Sequence, residues 1–126
     1  AIPAYQIYIA RAQVAEALNM ANTFKSETVV VYAESGSCPT SPANLGLNAT
    51  GAINAKYVKS VTINTTTPNS ICAFEFPFNN TGMSAGIAGK TLVFAMMNYS
   101  GNGSARWECS SDTIKQLYLP TVCQGV

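Results

Sequence analysis

The chain has 126 residues, of which 48% are hydrophobic and 10% charged, with a net charge of +1. This length suits one domain with its own core, and the small charge gives no electrostatic footprint for nucleic acid or anionic lipid. The sequence has no histidine, the usual general base of hydrolytic enzymes, and no run of about 18 apolar residues that could span a membrane.

The first predicted element is a long helix. The segment from Ile2 to Lys25 has no glycine and is rich in good helix formers. One apolar stripe, with spacings of seven, four and three, comprises Ile7, Val14, Leu18 and Ala21. A second apolar strip, on another face, comprises Ile2, Tyr5 and Ile9. Two apolar faces favour a helix that packs on its own sheet and also meets a second partner.

The next segment, Thr28 to Tyr32, is β-branched and aromatic, so local propensity alone predicts a strand there. A break follows at residues 34–39, where glycine and proline mark the exit from the element. From this break to Asn54 the sequence predicts a polar loop of small residues.

Antiparallel strands are predicted in the second half of the chain. The predicted segments are Lys56–Ile63, Ile71–Phe76, Thr91–Met97 and Ala105–Ser110. The last of these alternates, with Trp107 and Cys109 on one face. Residues 82–89 are glycine-rich and predict a turn. A helix followed by such strands predicts the α+β class.

Four separated cysteines predict two disulfides. They are Cys38, Cys72, Cys109 and Cys123. Zinc is disfavoured because tetrahedral sites usually use close pairs of ligands, and the sequence has no CxxC pair. Three pairings are open, of which the two nearest-neighbour pairs, 38–72 and 109–123, are the simplest. Disulfides imply the periplasm or the cell exterior.

Catalytic and cofactor motifs are not found. The six carboxylates are scattered, and the glycines at 82, 86 and 89 match no phosphate-binding pattern. We therefore expect no enzymatic activity, no cofactor and no metal. Five Asn-x-Ser/Thr sequons begin at residues 48, 64, 79, 98 and 102, and we interpret them as a result of the Asn-, Ser- and Thr-rich composition.

The opening residues 1–14, AIPAYQIYIARAQV, closely resemble the middle of the N-terminal helix of type IVa pilins. Four later motifs follow the order seen in major pilins of the Pseudomonas and Acinetobacter type. They are Lys56-Tyr57-Val58 with Val61-Thr62, Gly89-Lys90-Thr91-Leu92, Trp107-Glu108-Cys109, and Tyr118-Leu119-Pro120 with Cys123. The Ser35–Ala55 loop and residues 76–88 carry no such signal.

The resemblance implies a single pilin domain over residues 1–126. Its helix would run over 1–34, through the β-branched segment, and its loop over 35–55. A sheet of about four antiparallel strands would follow over 56–110, and a disulfide-bounded region over 109–123. The resemblance also implies the pairing Cys109–Cys123, with Cys38–Cys72 as an extra disulfide. In the family an apolar membrane-spanning segment precedes this helix, so we expect an N-terminally truncated pilin.

The function implied is that of a structural subunit of type IV pili. Ile2, Tyr5 and Ile9 would face neighbouring subunits. Val14, Leu18, Ala21 and Phe24 would face the subunit's own sheet. The full-length protein would wait in the inner membrane, where the pilus assembly machinery takes it into an extracellular filament. Family roles are adhesion, twitching motility, biofilm formation and DNA uptake, although a charge of +1 predicts weak DNA binding by this subunit.

The C-terminal region is also a candidate adhesive surface for a host receptor. Its candidate residues are Ser110, Asp112, Lys115, Tyr118 and Pro120. Two alternative functions stay open. A minor pilin or a type II secretion pseudopilin is one, although the chain lacks the acidic cluster with which pseudopilins often bind calcium. A secreted glycan- or DNA-binding module is the other, and it would use exposed aromatic residues such as Tyr57, Phe74, Phe78 and Trp107.

Overall fold

The computed structural model describes residues 2–46, 56–64, 69–100 and 105–126, without the side chains of residues 2–4 and 64. One long helix, α1, is followed by five strands, β1 to β5. Their bounds are Ile2–Ser35 for α1, then Thr62–Asn64, Cys72–Pro77, Thr91–Tyr99, Ala105–Ser110 and Cys123–Gln124. Short 3-10 turns span Pro42–Leu45 and Gln116–Tyr118. The predicted α+β class is confirmed.

The five strands form one sheet in chain order. β1 to β4 are antiparallel neighbours, and β5 pairs with β4 in parallel. The prediction of about four antiparallel strands holds for the first four. It missed β5, because a two-residue strand in an irregular segment shows no alternation. The first strand is shorter than predicted, because it begins at Thr62. Before it the pairing is limited to bridges at Val58, which faces Phe78, and at Ser60.

α1 runs through the β-branched segment and ends at Ser35, as the resemblance implied and against the local propensity. Tertiary contacts explain this outcome. Thr28 is buried, and its hydroxyl donates to the carbonyl of Phe24 at 2.7 Å within the helix. The Tyr32 ring meets the Tyr99 ring of β3 edge-on, with the centroids 5.0 Å apart. Packing on the sheet therefore outweighs the strand preference of the segment.

The core lies between one face of α1 and the sheet. The buried stripe of α1 comprises Ala10, Val14, Ala17, Ala21, Phe24 and Thr28. Its spacings of four and three follow the helical repeat. Three of these six residues are alanines, which let the helix lie close to the large rings of the sheet. Phe24 meets Phe74 and Phe76 edge-on at 6.1 and 5.7 Å.

This stripe corrects the predicted one. Val14 and Ala21 are buried as expected, whereas Ile7 and Leu18 are half-buried at the margin. The predicted stripe favoured larger aliphatic residues and omitted Ala10 and Ala17. The sheet supplies most of the core volume through phenylalanines, so small residues on the helix fit better.

Both disulfides join the pairs that the resemblance implied. Cys38–Cys72 ties the segment after α1 to the start of β2, with the Cα atoms 5.6 Å apart. Cys109–Cys123 links β4 to β5, with the Cα atoms 4.6 Å apart. These two bridges use all four cysteines of the sequence. The second bridge holds the C-terminal segment to the edge of the sheet.

Candidate functional site

The outer face of α1, opposite the buried stripe, carries large aromatic side chains near its N-terminal end. Tyr5 is 65% exposed and Tyr8 is 71% exposed. Ala12 and Ala15 continue this exposed face along the helix. We call these four residues the outer helix face. Two neighbouring tyrosines present an apolar surface that the described part of the chain leaves uncovered, and such surfaces mark interaction sites.

The three residues predicted to face neighbouring subunits differ from one another in where they lie. Tyr5 belongs to the outer helix face, while Ile9 is half-buried beside it. The side chain of Ile2 lies outside the described part. Sequence reasoning missed Tyr8, which is the most exposed aromatic of the helix. The signal was available, because Tyr8 is three residues from Tyr5 and therefore shares its face.

Polar side chains fix the orientation of this end of α1. Gln13 is buried, and its Oε1 accepts a hydrogen bond from the backbone N–H of Ser84 at 2.9 Å. On another side of the helix, Nε of Arg11 donates to the carbonyl of Leu117 at 3.1 Å. The helix is thus held by two different loops. These bonds turn the outer helix face away from its own domain.

A groove runs along one flank of α1, beside the segment at residues 56–58. It consists of two adjoining depressions of about 450 and 420 Å³ that share Glu16 and Tyr57. Its walls are mainly apolar and include Ile9, Ala12, Glu16, Met20 and Tyr57. We call these five the helix groove. At one end, Nζ of Lys56 lies 5.2 Å from the centroid of the Tyr57 ring.

The C-terminal region is held by its own polar network. The hydroxyl of Ser111 donates to the carbonyl of Thr91 at 2.7 Å and accepts from the backbone N–H of Ile114 at 3.0 Å. Nε2 of Gln116 donates to the carbonyl of Cys123 at 2.9 Å. With the Cys109–Cys123 bridge, this network fixes the shape of the segment.

The predicted adhesive residues are spread over this region. Asp112 and Lys115 are exposed, while Ser110, Tyr118 and Pro120 are half-buried. The Tyr118 ring packs against Gly86, where an added Cβ would lie 2.6 Å from the ring. Because one side of the Tyr118 ring packs within the domain, less of its surface is accessible to a receptor.

A separate cleft of about 530 Å³ lies over β4 and β5. Its lining includes Trp107, Glu108, Ser110, Gln116 and Val122. Of the five predicted adhesive residues, Ser110 is the one in this lining. Val122 is 71% exposed at its edge. The sequence signal for Val122 was weak, because a single apolar residue in a tail shows no pattern.

Charges are few among the described residues. Burial lowers the pKa of Lys25, whose Nζ lies 5.3 Å from the centroid of the Phe94 ring. Arg106 and Glu108 form an exposed ion pair at 2.7 Å, which contributes little stability. It is the one ion pair found within the described ranges. Glu16, in the helix groove, has no ion-pair partner there.

The structure bears on two other kinds of site. Within residues 2–46, 56–64, 69–100 and 105–126, no three His, Cys, Asp or Glu side chains are placed to share a metal ion. Over the same part of the chain, no helix combines the length and apolarity that crossing a membrane requires.

The aromatic surface predicted for a glycan- or DNA-binding module is only partly exposed. Phe74 and Phe78 are fully buried, so this surface loses two of its four residues.

Comparisons with known proteins agree with one another. A family profile described as pilin, a bacterial filament protein, matches residues 10–124. Fimbrial protein EcpC of Eikenella corrodens is 38% identical over 125 residues, covering 99% of this chain and 77% of that protein. A fimbrial protein of Moraxella nonliquefaciens is 33% identical, covering 96% of this chain and 80% of the relative. The type IV major pilin protein PilE of Neisseria gonorrhoeae is 31% identical, covering 97% and 68%.

Proposed function

Because this chain belongs to the pilin family of bacterial filament proteins and is a structural pilus subunit, we propose that it polymerises into type IV pili through the outer helix face. The exposure of Tyr5 and Tyr8 carries this proposal. Each ring can bury a large apolar area when a neighbour covers it. Ile2 and Ile9 would contribute to the same contact from the end and the edge of that face.

The physical basis is the removal of apolar surface from water. α1 is buried on its sheet side and anchored by Gln13 and Arg11, so its outer face is presented as a fixed surface. A contact between two different surface patches that does not close into a ring produces an open helical filament. Such a filament would place the outer helix face inward and leave the sheet and the C-terminal region outside.

The route to the filament is part of the proposal. In the pilin family, an apolar segment precedes the helix that corresponds to α1. In this proposal such a segment would hold the full-length subunit in the inner membrane. The assembly machinery there would move the subunit into the extracellular filament. The two disulfides support an extracytoplasmic site of folding, because such bonds persist in oxidising compartments.

Adhesion, twitching motility and biofilm formation are the activities that we propose for the filament. We assign DNA uptake to the filament and not to this subunit alone, since the net charge of +1 gives the subunit little affinity for phosphates. For adhesion, the C-terminal region and the cleft over β4 and β5 are the proposed receptor surface. The exposed Val122 beside the polar Gln116 and Ser110 supports this choice.

Deletion of the gene in its native host tests the proposal. Negative-stain electron microscopy and a surface-motility assay should show that pili and spreading are both lost, and that the intact gene restores them. Abundant pili of normal appearance after deletion would contradict the major-subunit role and favour a minor pilin or a pseudopilin. Glycan or DNA affinity of the isolated chain, together with normal pili, would favour a secreted binding module.

A further inference from the structure

An open filament needs two different patches on each subunit that fit each other. The outer helix face supplies contacts toward the filament interior, but it does not explain what joins one subunit sideways to the next. Two features lie on opposite flanks of α1: one is an exposed apolar side chain beside a charged one, and the other is a recess. The recessed feature is the helix groove.

The exposed feature consists of Leu117 and Arg11. Leu117 lies in the 3-10 turn Gln116–Tyr118, and its side chain is 49% exposed. Its carbonyl accepts the hydrogen bond from Nε of Arg11, so the two residues form one unit. Tyr118 supports the turn from the side of Gly86. We call Leu117 with Arg11 the knob. It offers an apolar side chain next to a positive charge.

The helix groove has the opposite properties. Ile9, Ala12, Met20 and Tyr57 give it apolar walls. Glu16 is exposed, lies in both depressions, and has no ion-pair partner among the described residues. The depression that contains Ile9, Ala12 and Glu16 therefore offers an apolar recess next to a negative charge, which matches the apolar side chain and the positive charge of the knob. Lys56, the positive charge of the groove, lines the other depression.

The positions of the two charges suit a side-by-side contact. Arg11 and Glu16 are five residues apart, which places them about 140° apart around the helix axis. The outer helix face lies between them. When that face points to the filament interior, Arg11 and Glu16 point to the two neighbouring subunits on either side.

We propose that the knob of one subunit inserts into the helix groove of a second copy, with Arg11 beside Glu16 of that copy. This inference rests on the proposed function, since it describes the lateral contact of the same filament. The occupant is another copy of this chain. Leu117 would fill the recess beside Tyr57, and the charge pair would set the register between subunits.

Charge reversal in the native gene tests the charge pair. R11E and E16R should each lower the yield of sheared pili at least about tenfold, because like charges then meet at every contact. The double variant R11E/E16R should return the yield to within about threefold of wild type. Glu34→Arg reverses an exposed charge near the C-terminal end of α1, outside the knob and the helix groove, and should leave the yield unchanged. Single reversals that behave like Glu34→Arg, or a double variant no better than the worse single, would overturn the proposal.

Site-specific crosslinking gives an independent readout that does not depend on Arg11 keeping its internal bond. A photoreactive benzoylphenylalanine at position 117 should crosslink assembled pili into ladders. Mass spectrometry should place the adduct on residues 9–20 or on Tyr57 of the adjacent subunit. The same probe at position 112 should give no adduct at those residues.

The two readouts separate failure of this inference from failure of the proposed function. Pili that assemble normally while the position 117 adduct lies elsewhere on the neighbour, or on a different protein, would overturn the knob-and-groove contact alone. Pili that persist after deletion of the gene would contradict the proposed function itself.

Discussion

The amide oxygen Oε1 of Gln13 accepts a hydrogen bond from the backbone N–H of Ser84 across 71 residues of sequence, at 2.9 Å in a buried site. This contact ties α1 to the glycine-rich turn that precedes β3. A buried N–H that loses its partner has nowhere else to bond.

Replacement of Gln13 by alanine should therefore lower the free energy of unfolding by about 1–3 kcal/mol, the usual cost of a buried unsatisfied group. Urea unfolding monitored by circular dichroism measures this value. Gln6→Ala is the matched control, because its Oε1 is 3.4 Å from the Ser84 hydroxyl and that bond is only partly buried. Equal effects of the two variants would contradict the role assigned to Gln13.

Gly125 gives a second test, at the C-terminal end. A Cβ on this residue would lie 2.5 Å from the carbonyl oxygen of Ile114 and 2.8 Å from the backbone nitrogen of Gln116. Gly125→Ala should push the tail away and cost about 1–3 kcal/mol. Amide exchange should show faster exchange of the Val126 N–H, which is bonded to Ile114 at 2.9 Å. Gln124→Ala, at an exposed neighbour, is the control, and identical exchange in both variants would exclude this packing.

The two disulfides should differ in how much each stabilises the chain. In the chain-entropy model a bridge that closes about 15 residues contributes about 3 kcal/mol, and one that closes about 35 contributes about 4 kcal/mol. The bridges here span 14 and 34 residues of sequence. Paired Cys→Ser variants, compared by urea unfolding, should show the larger loss for Cys38–Cys72. A clearly larger loss for Cys109–Cys123 would show that native-state packing of the tail dominates.

The partly buried amine of Lys25 should make the stability of the fold depend on pH. Burial lowers the pKa of its amine in the folded chain below the usual 10.5. Between the folded-state pKa and 10.5, the unfolded chain therefore binds more protons than the folded chain. Stability therefore rises with pH through that window, as the cost of burying a charged amine disappears. Relative to Lys25→Met, the wild type should gain stability as pH rises toward 10.5 in alkaline urea titrations. If the stability of the wild type relative to Lys25→Met stays constant or falls as pH rises, the lowered pKa of Lys25 is contradicted.

The features that repeat along the sequence were predictable, and those that depend on distant contacts were not. The helical segment from Ile2 to Lys25 and the strand at Ala105–Ser110 follow from periodicity alone. The course of α1 through Thr28 and Tyr32 needed the family resemblance, because the contacts to the sheet that favour helix are not local.

The candidate site shows the same division. Tyr5 was found from its spacing with Ile2 and Ile9, whereas the helix groove and the knob depend on where Tyr57 and Leu117 meet the helix. These residues are 37 or more positions away from their partners in the sequence, so no local pattern could reveal the pairing. The strand β5 was missed because its two residues are too few to show alternation, even though the Cys109–Cys123 bridge beside it was expected.

The most direct test of the central claim is the assembly of a variant whose outer helix face is charged. Tyr5→Asp combined with Tyr8→Asp should leave the purified chain as stable as wild type, because both side chains are largely exposed, and should abolish pili in the native host. Val122→Asp, at an equally exposed residue outside α1, should leave the pili intact. Normal pili from the double tyrosine variant would contradict assembly through the outer helix face.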